Sequence, residues 1–230
     1  MARVLRGTAP VRWDAPWILR LPGGRGPAPL LVALHGKGDR SERFEREVRP
    51  TLPRGWALLV PGAPIPRDRS GGPPPSAIGA SWYLYDGDTP AFRESLDRAQ
   101  AFVVDAVRRA RAASGRARGR AVLLGFSQGA YLAGVLAVRR PDLFRAAVLI
   151  GGRLKVEALR RDLPRARASG LRVLALHGAW DPAVKPAPAA ASVAAARAAG
   201  LDASFEEFDA GHEFTSAMAA RARGWLADLP

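Results

Sequence analysis

An α/β fold, doubly wound around a mostly parallel sheet, is what this sequence predicts, and two observations carry that prediction. Apolar runs of strand length alternate along the chain with longer segments of helical period. The runs are apolar at successive positions rather than at every second one, which is what a sheet covered on both faces requires. Taken in order, Val11 to Leu21 alternates and suits antiparallel edge strands, whereas Leu30–Leu34 and Trp56–Val60 suit buried strands. Gly62 to Thr89, rich in Gly and Pro through Ser70–Pro75, reads as a long loop, either functional or disordered. Its aromatic end Ser81-Trp82-Tyr83-Leu84-Tyr85 is expected to pack down. Phe92, Leu96, Ala99, Val103, Ala106 and Ala110 form one stripe of a helix from about Pro90 to Ala113. Further strands are predicted at Ala121–Leu124, Ala146–Ile150, Val173–Leu176 and Ala203–Phe208. Helices are predicted at Gln128–Arg139, Val156–Leu163, Ala187–Ala199 and Glu213–Ala227. Strand–helix alternation of this kind implies right-handed crossovers. One domain over residues 1–230 is expected.

Composition narrows the function. The 230 residues are 48% hydrophobic and 24% charged, the balance of a soluble globule. Cysteine is absent, which excludes a disulfide scaffold, a thiolate metal site and a Cys nucleophile. Only His35, His177 and His212 could supply imidazole, too few for a His-rich metal site. The first residues carry no apolar signal region, and no apolar run reaches membrane-spanning length, so a cytoplasmic protein without membrane insertion is expected. The formal charge of +14 invites a nucleic-acid partner. Against that, lysine occurs only at 37, 155 and 185, and the Arg-rich stretch Arg108–Arg120 lacks interleaved aromatics for base stacking. No nucleic-acid partner is expected; a homodimer is left open.

The chemistry concentrates in Gly125-Phe126-Ser127-Gln128-Gly129, which follows a predicted strand and opens a predicted helix. A G-x-S-x-G in that setting is a nucleophile elbow: the strained turn lifts the Ser127 hydroxyl above the sheet edge. A hydroxyl needs a base to take its proton. His212, in the loop between Ala203–Phe208 and the last helix, suits that role. His35 and His177 sit at strand ends and read as buried imidazoles bonded to backbone. The base needs a carboxylate to fix its tautomer. Asp181 follows Val173–Leu176 and so projects from the same sheet edge as Ser127, while the rival Asp209 reads as a brace for its own loop. The chain order Ser127, Asp181, His212 is that of α/β-hydrolases. In Leu34-His35-Gly36-Lys37-Gly38-Asp39 two glycines let the backbone curl, so the N–H of Lys37 joins that of Gln128 as the expected oxyanion hole.

Together with Val184 and the Ser81-Trp82-Tyr83 patch, these motifs resemble the phospholipase/carboxylesterase group of the α/β-hydrolases, which includes acyl-protein thioesterase-like enzymes and small bacterial carboxylesterases. The similarity runs from about Leu30 to the C-terminus; Lys37 departs from it at an often apolar position. The resemblance implies a Ser-His-Asp hydrolase of carboxylic esters or thioesters, with a small-molecule substrate and no metal or organic cofactor. In this fold large caps commonly follow the strand here predicted at Ala146–Ile150, and too few residues separate it from the next strand to build one. An open apolar cleft suited to short or medium acyl chains is therefore expected, bordered by Trp82, Tyr83, Leu84, Trp180 and Phe214, with ordinary core packing as the equal alternative for the aromatics. The same three polar residues would serve a lactone or peptide hydrolase. A non-catalytic binding protein on this fold is the remaining alternative.

Overall fold

The computed structural model describes residues 14–68, 78–85 and 87–229, together with Leu5 and Gly7. These residues form a seven-stranded sheet in the order β1-β3-β2-β6-β7-β8-β9. Its strands are β1 (Trp17–Arg20), β2 (Leu30–Leu34), β3 (Ala57–Pro61), β6 (Ala121–Phe126), β7 (Phe144–Ile150), β8 (Arg172–Gly178) and β9 (Asp202–Phe208). The edge strand β1 runs antiparallel to β3, and every other pair is parallel. Val11 to Trp13 of the predicted edge segment lie outside the described residues.

Successive strand residues point to opposite faces, so an unbroken apolar run feeds two cores at once. Leu30, Val32 and Leu34 pack into one core with Leu123, Leu149 and Val173, beneath helices α2 (Pro90–Ser114), α3 (Gln128–Arg139) and α6 (Pro186–Ala198). Leu31 and Ala33 face the other core with Leu124, Val148 and Leu174, covered by α1 (Ser41–Val48) and α7 (Ser216–Ala227). The predicted double winding is therefore present. Helix α2 is opened by the Thr89 hydroxyl accepting the Phe92 N–H and closed by Gly115 in the left-handed region.

Three elements differ from the sequence reading. The stretch 62–89 is not loop throughout: β4 (Ile65–Asp68) and β5 (Ile78–Ser81) pair as an antiparallel hairpin. Residues 69–77, most of the Pro-rich part of the predicted Gly62–Pro75 loop, lie outside the described residues. The predicted helix at Val156–Leu163 is two short helices, α4 (Val156–Leu159) and α5 (Leu163–Ala168), because Pro164 can begin a helix but cannot continue one. The last helix starts at Ser216 rather than near Glu213, where the Thr215 hydroxyl accepts the Met218 N–H. Helix α1 is additional. Between β7 and β8 stand only α4 and α5, so no large cap covers the carboxyl edge of the sheet.

Candidate active site

The carboxyl ends of β2, β6, β8 and β9 lead directly into the loops that carry the polar residues singled out above. Ser127 follows β6 and precedes α3, with φ 52° and ψ −116°. Among the described residues it is the one non-glycine with positive φ, a strain costing about 1–3 kcal/mol that the surroundings must hold. They hold it closely. The Ser127 N–H donates to the Ile150 carbonyl at 2.9 Å, and its own carbonyl accepts from Ala130 and Tyr131. A Cβ at Gly125 would collide with the Gly129 carbonyl, and one at Gly129 with the Leu34 carbonyl, so only glycines let helix and strands approach this tightly.

His212 lies between Ser127 and Asp181. Its Nε2 is 2.9 Å from Ser127 Oγ, and its Nδ1 is 2.7 Å from Asp181 Oδ2. An ionised carboxylate can only accept, so Nδ1 carries the proton and Nε2 is left to accept from the hydroxyl. The Phe126 ring lies against the imidazole, with ring centroids 5.1 Å apart. Adjacent strands β8 and β9 bring the two loops side by side. A Cβ at Gly178 would strike the Gly211 carbonyl, so the loops touch there backbone to backbone.

Asp181 is buried, and its second oxygen is also committed: Oδ1 accepts the N–H groups of Ala183 and Val184, both at 2.8 Å. Burial alone would raise this carboxyl. The hydrogen bond to His212 and the two backbone N–H groups outweigh it and hold the group below the ordinary aspartate value. Buried His177 donates its Nε2–H to the Val184 carbonyl at 2.7 Å and sits 3.4 Å from Asp181 Oδ2, bracing the same loop. Asp209 does not reach the imidazole; it accepts the Trp180 indole N–H at 2.8 Å.

The loop after β2 is pinned from three sides. His35 donates Nδ1–H to the Gly36 carbonyl at 2.8 Å, and its Nε2 accepts the Ala63 N–H at 3.2 Å. The Trp82 indole donates to the His35 carbonyl at 2.8 Å. Strand β5 completes the frame, with Gly38 N–H donating to the Ala80 carbonyl and Ala80 N–H to the Asp39 carbonyl. Between these bonds the Lys37 N–H has no backbone partner among the described residues. Gln128, as the first residue of α3, has an N–H that the helix itself leaves unpaired. Its side chain has a role the sequence reading did not assign. Oε1 accepts the Trp82 N–H at 3.0 Å and Nε2 donates to the Tyr83 carbonyl at 2.9 Å, clamping that segment to the elbow.

These bonds fix where the expected pocket residues lie. Among the described residues, the cleft at Ser127, about 330 Å³, is lined by Gly36, Lys37, Gly38, Asp39, Arg43, Phe126, Ser127 and His212. Trp82, Tyr83, Leu84, Trp180 and Phe214 are not in that lining. Trp82 and Tyr83 are drawn into the core by Gln128 and His35, and Tyr83 packs on Phe92 and Tyr131. Leu84 and Trp180 are 58% and 73% exposed, and Phe214 rests against the core under α7. One wall of the cleft is charged rather than apolar. Arg43 reaches it from the first turn of α1, four residues after Asp39; that i,i+4 spacing was the available signal, but it counts only once α1 is known to be helical.

The model of the Phospholipase/Carboxylesterase family matches residues 22–228. The chain belongs to the phospholipase/carboxylesterase family. It is an enzyme of the esterase type. Esterase YpfH of Escherichia coli (strain K12) is 27% identical over 188 residues, covering 80% of this chain and 75% of that protein. The acyl-protein thioesterase 2 of Zea mays superposes with a TM-score of 0.73 at 22% identity, covering 93% of this chain and 98% of that one. A carboxylesterase from Mesorhizobium loti gives a TM-score of 0.71 at 22% identity, covering 94% and 95%. Both structures share the fold of this phospholipase/carboxylesterase-family chain. No helix among the described residues is long and apolar enough to cross a membrane.

Proposed function

We propose that the protein hydrolyses carboxylic esters or thioesters through an acyl-enzyme, with Ser127 as nucleophile, His212 as general base and acid, and Asp181 as the group that orients and charge-balances the imidazole. Ser127 Oγ attacks the carbonyl carbon while its proton passes to His212 Nε2. The oxyanion that forms rests on the backbone N–H groups of Lys37 and Gln128, each such donor being worth about 3 kcal/mol at the barrier. Collapse expels the alcohol or thiol, which takes the proton from His212. Water then attacks the acyl-enzyme as His212 accepts its proton, and the carboxylic acid leaves as Ser127 Oγ regains that proton.

A single observation carries this reading: one imidazole lies within hydrogen-bond reach of both the Ser127 hydroxyl and the Asp181 carboxylate. The strained elbow and the Lys37 N–H, without a backbone partner among the described residues, support it. Turnover of a p-nitrophenyl ester by the parent and by Ser127→Ala tests it. The substitution removes a hydroxyl on a turn whose dihedrals are held by backbone bonds, so the fold persists and kcat drops about 10⁶-fold. Turnover by the variant within tenfold of the parent would overturn the assignment.

A further inference from the structure

We propose that the cleft at Ser127 selects esters bearing an anionic group, a carboxylate or phosphate near the scissile bond, and that the Lys37 ammonium reads that charge. The inference rests on the esterase reading above and adds a substrate class to it. Three of the residues that line the cleft carry charge: Lys37, Asp39 and Arg43. Two of them already answer each other. Arg43 Nε is 3.6 Å from Asp39 Oδ1, and its far end is 3.5 Å from Glu47. Asp39 Oδ1 also accepts the Arg40 N–H at 2.9 Å. Lys37 is exposed and has no ion-pair partner among the described residues. Of these three residues Lys37 is thus the one whose charge has no ion-pair partner among the described residues, and it is the residue whose backbone faces the reacting carbonyl in the mechanism above. That backbone is fixed by the bonds to Gly36, Ala63 and Ala80, so the ammonium swings from a stationary base.

An ammonium a few ångströms from a substrate anion at a half-wet site gives about a tenfold preference over a neutral analogue. The overall charge of +14 attracts anions as well, but losing one of those charges elsewhere scarcely changes that field. A local reader and a global field therefore respond differently to substitution.

The test compares kcat/KM within matched pairs. The mono-p-nitrophenyl ester of glutaric acid against the same compound capped as its methyl ester places the anion on the acyl side. Acetoxybenzoate, substituted para, against phenyl acetate places a carboxylate on the alcohol side, and p-acetoxyphenyl phosphate replaces that carboxylate with phosphate. The expected result is about a tenfold preference for the anionic member on at least one side, shrinking as salt is raised. Lys37→Gln brings the ratio close to one, Lys37→Glu inverts it, and Arg43→Gln lowers it less because that guanidinium is already engaged. Arg108→Gln, far along α2 and outside the cleft lining, leaves the ratio alone. A parent ratio near one for all pairs, a ratio unmoved by Lys37→Gln, or an equal fall in Arg108→Gln overturns the inference while the esterase reading stands. No turnover of any ester, with Ser127 inert to an acylating probe, removes both.

Discussion

Replacing Asp181 by asparagine separates orientation from packing, because the structure dictates how the new amide must sit. Oδ1 accepts two backbone N–H groups at 2.8 Å, from Ala183 and Val184, and Oδ2 faces His212 Nδ1 at 2.7 Å. The amide oxygen will take the first position, since an NH₂ there would meet two donors. The NH₂ then faces Nδ1, which must accept, so the imidazole proton moves to Nε2 and that nitrogen can no longer take the Ser127 proton. Restoring the productive tautomer means turning the amide over, which leaves two buried N–H groups unpaired at about 1–3 kcal/mol each, or about 4 kcal/mol together. At 1.36 kcal/mol per decade of rate that is about a 10³-fold loss, close to the roughly 10⁴-fold known for the same change in a serine protease. The assay is steady-state turnover of a p-nitrophenyl ester near neutral pH, with thermal melting alongside to establish that the near-isosteric variant is folded. Asp209→Asn serves as the control, because among the described residues Asp209 holds the Trp180 indole and does not reach the imidazole, and a change under about threefold is expected. A kcat for Asp181→Asn within tenfold of the parent, or an equal loss in Asp209→Asn, would refute the reasoning.

Two other substitutions probe the frame around the site. Gln128→Met keeps volume and helix propensity but leaves the buried Trp82 N–H and the Tyr83 carbonyl without their partner; a loss of about 2–4 kcal/mol in urea unfolding is expected, and a loss below about 0.5 kcal/mol would show that the clamp is dispensable. Burial holds His35 below the ordinary imidazole value of 6.5, only partly offset by its bond to the Gly36 carbonyl. In the window below that value the unfolded chain binds a proton that the folded chain refuses, so stability falls as pH drops from about 6.5 through the lower folded value. The melting temperature of the parent should therefore fall between about pH 7 and about pH 5.5, and His35→Gln should flatten that slope; equal slopes would contradict the buried neutral imidazole.

The strands were legible because a sheet covered on both faces demands unbroken apolar runs, and Leu30–Leu34 serves both cores at once. Ser127, Asp181 and His212 were legible for the same reason: each follows a recognisable strand, and parallel strands deliver their next loops to one edge. Helix α1 was not, since Phe44 and Val48 are the only large apolar residues in eight and a short charged helix has little periodic signal. Missing α1 hid Arg43, and with it the charged wall of the cleft. The hairpin of β4 and β5 was masked by the prolines around it. The aromatic patch at Trp82–Tyr83 announced that it would pack down, but its direction depends on the Gln128 amide and the His35 carbonyl, partners far away in sequence.

The central claim, that the Ser127 hydroxyl is activated by His212, is tested most directly by mass spectrometry of the protein after exposure to a fluorophosphonate. One equivalent of phosphonate on Ser127 is expected in the parent, with labelling lost in Ser127→Ala and slowed at least a hundredfold in His212→Ala. A parent that stays unmodified, or one that is modified at Ser127 equally fast without the imidazole, would contradict it.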